Sequence, residues 1–198
     1  MSNRKIIQII PALEVTEGAG VNVFRSIGTP ARKNLDPFLM LDQFSTYNPD
    51  DYIAGFPDHP HRGFNTFTYM IDGHMRHNDS IGNSGDLGPG GAQWMKAGSG
   101  VIHSEMPQQE SGRMRGFQLW INLPAAQKMT APEYQDIRPQ TIPEVNNEGA
   151  TVRIVAGDFN GQLGPVTDPN TNFHFLDVSL EAGVQFVHTV TENDTAFI

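Results

Sequence analysis

GFPDHPHRGFNTFTYMIDG (residues 55–73) and, after a Gly-rich interval, GPGGAQWMKAGSGVIHSE (residues 88–105) decide how this chain folds. The first stretch carries His59 and His61 two positions apart, and the second carries His103 and Glu105 at the same spacing. In a strand, side chains alternate faces, so positions i and i+2 point the same way and can reach one ion. In a helix the same spacing turns the two side chains to nearly opposite sides. The pairs therefore make sense as a site only if both segments are extended. His-Pro-His alone is weak, being more readily two His beside a turn; a second pair at strand spacing about forty residues on changes its weight. Three imidazoles and a carboxylate suit Fe, Mn, Ni, Cu or Zn and, at six-coordination, leave two positions for water, O2 or substrate. The mixed N and O donors with open positions fit non-haem Fe(II) best, while Mn, Ni, Cu and Zn stay open as alternatives. Ligation requires neutral imidazole, so binding is expected to weaken as pH falls through the His range.

Around these stretches the chain reads as strands and turns. Residues 4–28 alternate short apolar runs with turn residues, and MSNRKIIQIIPAL reads as a first strand rather than a signal peptide, its apolar run being cut by Gln8 and Pro11. Gly18-Ala-Gly20 is half a dinucleotide fingerprint with no third Gly in place and no helical pattern after it, so a tight turn is expected there. FLML (38–41) reads as a buried strand, and Phe64 to Ile71 as a β-rich run stopped by Asp72-Gly73. MRGFQLWINL (114–123) alternates Phe117, Leu119, Ile121 and Leu123 on one face. The best helical candidate is Ala125 to Tyr134, short and interrupted by Pro132; Arg138 to Asn147 reads as a linker. Strands are expected again at 151–156, 173–180, 184–190 and 195–198. His74 and His77, three apart, would face opposite sides of a strand and serve as surface or supporting groups. His174 and His188 have no partner at ligand spacing.

Composition narrows the function classes. Thirteen Lys and Arg against 22 Asp and Glu give a net charge of −9, and the densest basic stretch, Arg25 to Lys33, holds three basic residues. An acidic surface repels phosphate backbones, which argues against direct nucleic-acid binding. Without cysteine there are no disulfides, thiolate nucleophiles or iron–sulfur clusters. No apolar stretch approaches the roughly 18 residues of a membrane span, so no membrane role is expected and the cytoplasm is the simplest compartment.

FLMLDQF, GFPDHPHRGFNTFTYMIDG and QWMKAGSGVIHSEMP, extended by FQLWINLPAAQKM, together resemble the pirin family of the cupin superfamily. The resemblance implies an all-β fold of two cupin jelly-roll barrels, each a double-stranded β-helix. It implies a complete N-terminal metal-binding barrel over residues 1–135, then a linker and an incomplete second barrel over 136–198, whose open apolar edge would pack on the first barrel or on another chain as an oligomer. It also implies metal ligands at His59, His61, His103 and Glu105, and bound iron replaceable by other divalent metals. Some bacterial members act as quercetin 2,3-dioxygenases, opening a flavonol ring with O2 and releasing carbon monoxide. Glu105 would then accept the flavonol proton as well as ligate. Other members are regulatory partners of transcription factors or metabolic enzymes, so the alternative is a metal- or redox-responsive protein that binds a protein partner without catalysis. One departure stands inside the decisive stretch. Where pirins usually read HPHRGFE this chain has Asn65, which is expected to lower the charge beside the first ligand strand while sparing metal binding.

Overall fold

The structure, a computed structural model, describes residues 4–191 and 194–198. Its strands are β1 (Leu13–Glu17), β2 (Val21–Ile27), β3 (Phe38–Thr46), β4 (Phe56–His61), β5 (Phe64–Asp72), β6 (Met75–Asp79), β7 (Ser84–Leu87), β8 (Ala92–Lys96), β9 (Val101–Pro107), β10 (Met114–Asn122), β11 (Glu133–Ile137), β12 (Glu144–Asn147), β13 (Ala150–Ala156), β14 (Asp158–Phe159), β15 (Gln162–Leu163) and β16 (Phe175–Leu180). Among the described residues the helical elements are short 3-10 turns, as the Gly- and Pro-rich composition leads one to expect. No helix among the described residues is long and apolar enough to cross a membrane.

Two sheets face each other in the N-terminal part. A seven-stranded sheet runs β1-β2-β3-β10-β5-β8-β11, and a four-stranded sheet runs β4-β9-β6-β7, with every pairing antiparallel. Between them lie Val21, Val23, Phe44, Met70, Met75, Leu87 and Met114, contributed by both sheets, with Tyr52 added from the loop between β3 and β4. Gly18 makes the β1–β2 turn close: its φ is +56°, and a Cβ there would meet the Gly55 carbonyl oxygen at 2.6 Å. The expected tight turn is therefore what this glycine builds.

β5 is buried on both faces, and its alternation separates two functions. Met70 joins the core between the sheets, whereas Phe67 and Tyr69 point the other way, into a second core shared with Val155, Ala156, Val166 and Phe173 of the later residues. Phe67 meets Phe173 and Phe175 at ring-centroid distances of 5.2 and 4.9 Å. Beyond this shared core, β12-β13-β16 form a three-stranded sheet and β14-β15 a two-stranded ladder.

Four local expectations change. The first strand is Leu13–Glu17; residues 1–3 of the expected strand lie outside the described residues, and Ile6, Ile7 and Ile9 are exposed without a ladder. The helix expected over 125–134 is a 3-10 turn, Ala125–Gln127, followed by β11. A helix that short is marginal and Pro132 would break it, whereas Glu133–Ile137 can extend along the open edge of β8. The expected linker contains β12, which pairs with β13. Residues 184–190 and 195–198 form no strand and contribute side chains instead. Phe186 packs on the Val152, Ile154 and Phe159 cluster, and Phe197 sits edge-on to Phe38.

Candidate metal centre

β9 lies between β4 and β6, and register lines the site up across three strands. His59 of β4 stands opposite His103 of β9, which stands opposite Asp79 of β6; one pleat along, Glu105 stands opposite His77. Alternation sends Val101, His103 and Glu105 inward and leaves Ile102 half exposed. On β6, Met75 and His77 point inward while Arg76 and Asn78 do not, and the Asp79 side chain is fully buried. The register of β4 with β9 shifts between Phe56 and His59, a bulge that re-aims the His-Pro-His segment.

The result is a cluster of His59, His61 and His103 whose ligand atoms all lie within 4.8 Å of one another. The proton inventory favours a cation at its centre. His59 Nδ1 lies 2.8 Å from the Pro57 carbonyl oxygen, which can only accept, so that nitrogen carries the proton and Nε2 is left with its lone pair. Nε2 of His59 lies 3.1 Å from Nε2 of His61. His103 Nε2 is buried with no hydrogen-bond partner among the described residues. Lone pairs that converge without donors are satisfied by an ion, so the donor set fits a metal. Burial, then the neighbouring imidazoles His103 and His59, lower the His61 pKa to about 3. Burial likewise lowers His103 to about 3, helped first by His59 and then by His77. Both are therefore neutral, ligation-ready bases at pH 7.

Glu105 stands beside this cluster. Among the described residues the close group contains only the three His, and the nearest bond of Glu105 is to Thr68, whose Oγ1 lies 3.4 Å from Oε1. Gln118 Oε1 stands nearer the same hydroxyl, at 2.5 Å, and competes with Glu105 for its single proton. Burial pushes the Glu105 carboxyl above its ordinary range, against the opposing pull of His77 and His59. A cavity of about 500 Å³ opens onto His59, His61 and Glu105, walled by Met40, Phe44, Phe56, Met75 and Trp120. Polar groups in its wall include Gln118 and the Arg25–Asp42 pair, in which Nε and Nη2 each bond a carboxylate oxygen at 2.7 Å. His61 packs edge-on to Phe64 and Trp120, which fixes its ring.

His74 is partly exposed and outside the cluster, while His77 is buried at 1% exposure and touches His103, so the supporting role expected of this pair falls to His77 alone. His174 and His188 lie together, ring centroids 5.7 Å apart, away from the cluster. Sequence reasoning overlooked Asp79, although His77-x-Asp79 has the same i, i+2 spacing as the ligand pairs.

Asn65 requires a correction. It shares the face of Phe67 and Tyr69, not that of Thr68, and donates from Nδ2 to Asp168 Oδ2 at 2.5 Å. The charge beside the metal cluster is thus not what this residue sets. Asp168 also accepts from Asn170 and Thr171, so its buried carboxylate needs donors around it, and a second carboxylate at 65 would oppose it. Asn65→Asp should cost about 3–5 kcal/mol in urea denaturation, as unpaired buried charges do, with Zn(II) affinity unchanged; Asp168→Asn added to it should restore much of the loss.

The chain has clear relatives. The pirin family pattern matches residues 20–121. A pirin-like protein of Caulobacter vibrioides is 48% identical over 200 aligned residues, spanning 100% of this chain and 72% of the relative. Among solved structures, GK1651 of Geobacillus kaustophilus is 34% identical with a TM-score of 0.78, covering 91% of this chain and 70% of that one. A quercetin 2,3-dioxygenase of Acinetobacter baumannii is 33% identical with a TM-score of 0.71, covering 80% and 58%. The chain spans 65%, 72% and 66% of the length of three curated relatives it matches.

Proposed function

Because the chain belongs to the pirin family of the cupins, we propose that it is a metal-dependent dioxygenase that opens the ring of a flavonol with O2. The observation that carries the reading is the convergence of three imidazoles, two of them held neutral, at an aromatic-walled cavity large enough for a small molecule. His59, His61 and His103 would hold the metal and Glu105 would be the fourth ligand, turning from Thr68; Fe(II) is the metal we favour for this N and O set. A metal held by these residues would supply Lewis-acid charge to polarise substrate and O2.

The protein's own share is placement and proton handling. Phe56 and Trp120 give flat apolar surfaces on which a polyphenol can lie, and Met40 adds an adaptable apolar one. Glu105 is buried, so its carboxylate binds a proton readily and can take one from a substrate hydroxyl; the Thr68 hydroxyl lies 3.4 Å behind it. No membrane partner or direct nucleic-acid contact enters this reading, and the cytoplasm is the compartment we assign.

The test is O2 uptake and carbon monoxide release by Fe(II)-loaded protein given quercetin and related flavonols. Uptake that disappears on chelation supports the reading. A fully loaded protein that consumes no O2 across the panel overturns it, leaving the metal-responsive protein-binding role.

A further inference from the structure

We propose that His77 and Asp79 form a hydrogen-bonded relay that sets the tautomer of His103 and so keeps its Nε2 free to bind metal. His77 and Asp79 are positioning residues: they act through His103.

The relay follows from which atoms can donate. Asp79 Oδ1 accepts from the backbone N–H groups of Ile81 at 3.1 Å and Asn83 at 2.8 Å, and Oδ2 accepts from Asn83 Nδ2 at 2.8 Å. A carboxylate so surrounded by donors is an acceptor. His77 Nε2, 3.3 Å from Oδ2, must therefore carry a proton and donate it. In neutral His77 the other nitrogen, Nδ1, is then an acceptor. The atom facing it, 3.3 Å away, is Nδ1 of His103, which must supply the proton. His103 is thereby the Nδ1–H tautomer, and its Nε2 keeps a lone pair. That Nε2 is the atom left buried without a partner beside His59 and His61. Tyr134 stacks on His77 at 4.5 Å with an 18° interplanar angle and holds the ring in plane, while Gln93 fixes the Tyr134 hydroxyl at 2.8 Å.

The inference rests on the metal-centre reading, but its first test needs no metal. Two-bond 15N–1H imidazole spectra of the metal-free wild-type protein at pH 7 should show the proton on Nδ1 of His103 and on Nε2 of His77. A proton on Nε2 of His103, or a doubly protonated His77, overturns the relay. Calorimetric titration with Zn(II) then reads its effect. His77→Phe preserves the stacked ring and removes the acceptor, and should weaken Zn(II) about 10- to 100-fold, as loss of a partner behind a ligating His does. Asp79→Asn places an amide where an acceptor stood; it should move the His103 proton to Nε2 and weaken Zn(II) by a similar factor. Wild-type affinity in His77→Phe, or an unchanged His103 tautomer in Asp79→Asn, overturns the proposal. Failure of the wild-type protein to bind Zn(II) would instead sink the metal-centre reading and leave the tautomer result standing.

Discussion

His61→Ala should weaken metal binding about a hundred- to a thousand-fold and abolish any O2 uptake with a flavonol. Structural zinc sites with four ligands bind with roughly 10–16 kcal/mol, so an even share per ligand makes the loss about a hundred- to a thousand-fold in affinity. His61 is the right member to remove because its Nε2 lies 3.1 Å from that of His59, which leaves no second route to the same geometry once the ring is gone. The substitution also removes ring contacts with Phe64 and Trp120, so loss of metal could in principle reflect a disturbed fold. Circular dichroism and urea denaturation of the metal-free variant separate the two cases. A folded variant that still loads one metal per chain at wild-type affinity would show that the three-imidazole cluster is not the metal centre.

The parts of this site that were legible in the sequence are those governed by the two-residue repeat of a strand. His59 with His61 and His103 with Glu105 sit where that repeat puts them, on inward faces of neighbouring strands. The same rule, applied to His77 and Asp79, would have found the relay; pairing His77 with His74 instead led only to opposite faces. Asn65 shows a different limit. Its offset from the ligands is easily counted, but which face of β5 meets the cluster depends on the later residues, above all Asp168, more than a hundred positions away. Long-range partners also decided β11, where an open edge at β8 outweighed weak helical propensity over 125–134. Glu105 bonds Thr68 rather than joining the close cluster, and spacing alone cannot say which neighbour a carboxylate will choose.

Metal-free protein should lose stability steeply as pH falls from 6.5, and metal should suppress that loss. Burial and neighbouring imidazoles lower the folded-state pKa of His61 and His103 from 6.5 to about 3. Above pH 6.5 both residues are neutral in the folded and unfolded chain, and they contribute no pH dependence. Below it the unfolded chain takes up protons that the folded chain refuses, so stability falls with falling pH until about 3, where the folded residues protonate too. Each residue contributes up to about 1.4 kcal/mol per pH unit, or roughly 3 kcal/mol for the pair between pH 6.5 and 5. That is a large part of the roughly 5–15 kcal/mol that holds a domain folded. Asp79 adds to the trend further down: burial works to raise it, but bonds from Asn83, His77 and Ile81 outweigh this and hold it below its ordinary value, so its contribution is lost as acid protonates it. Glu105 opposes the trend, since its raised folded-state pKa makes the buried carboxyl easier to keep as pH drops. Two imidazoles titrating together outweigh one carboxyl. Urea midpoints at pH 7, 6 and 5 should therefore fall together with pH in the metal-free protein, fall less steeply by about one proton in His61→Ala, and change little with saturating Zn(II) between pH 7 and 6, where bound metal favours the folded state. A midpoint that stays flat from pH 7 to 5 without metal would mean that these imidazoles are not held neutral by the fold.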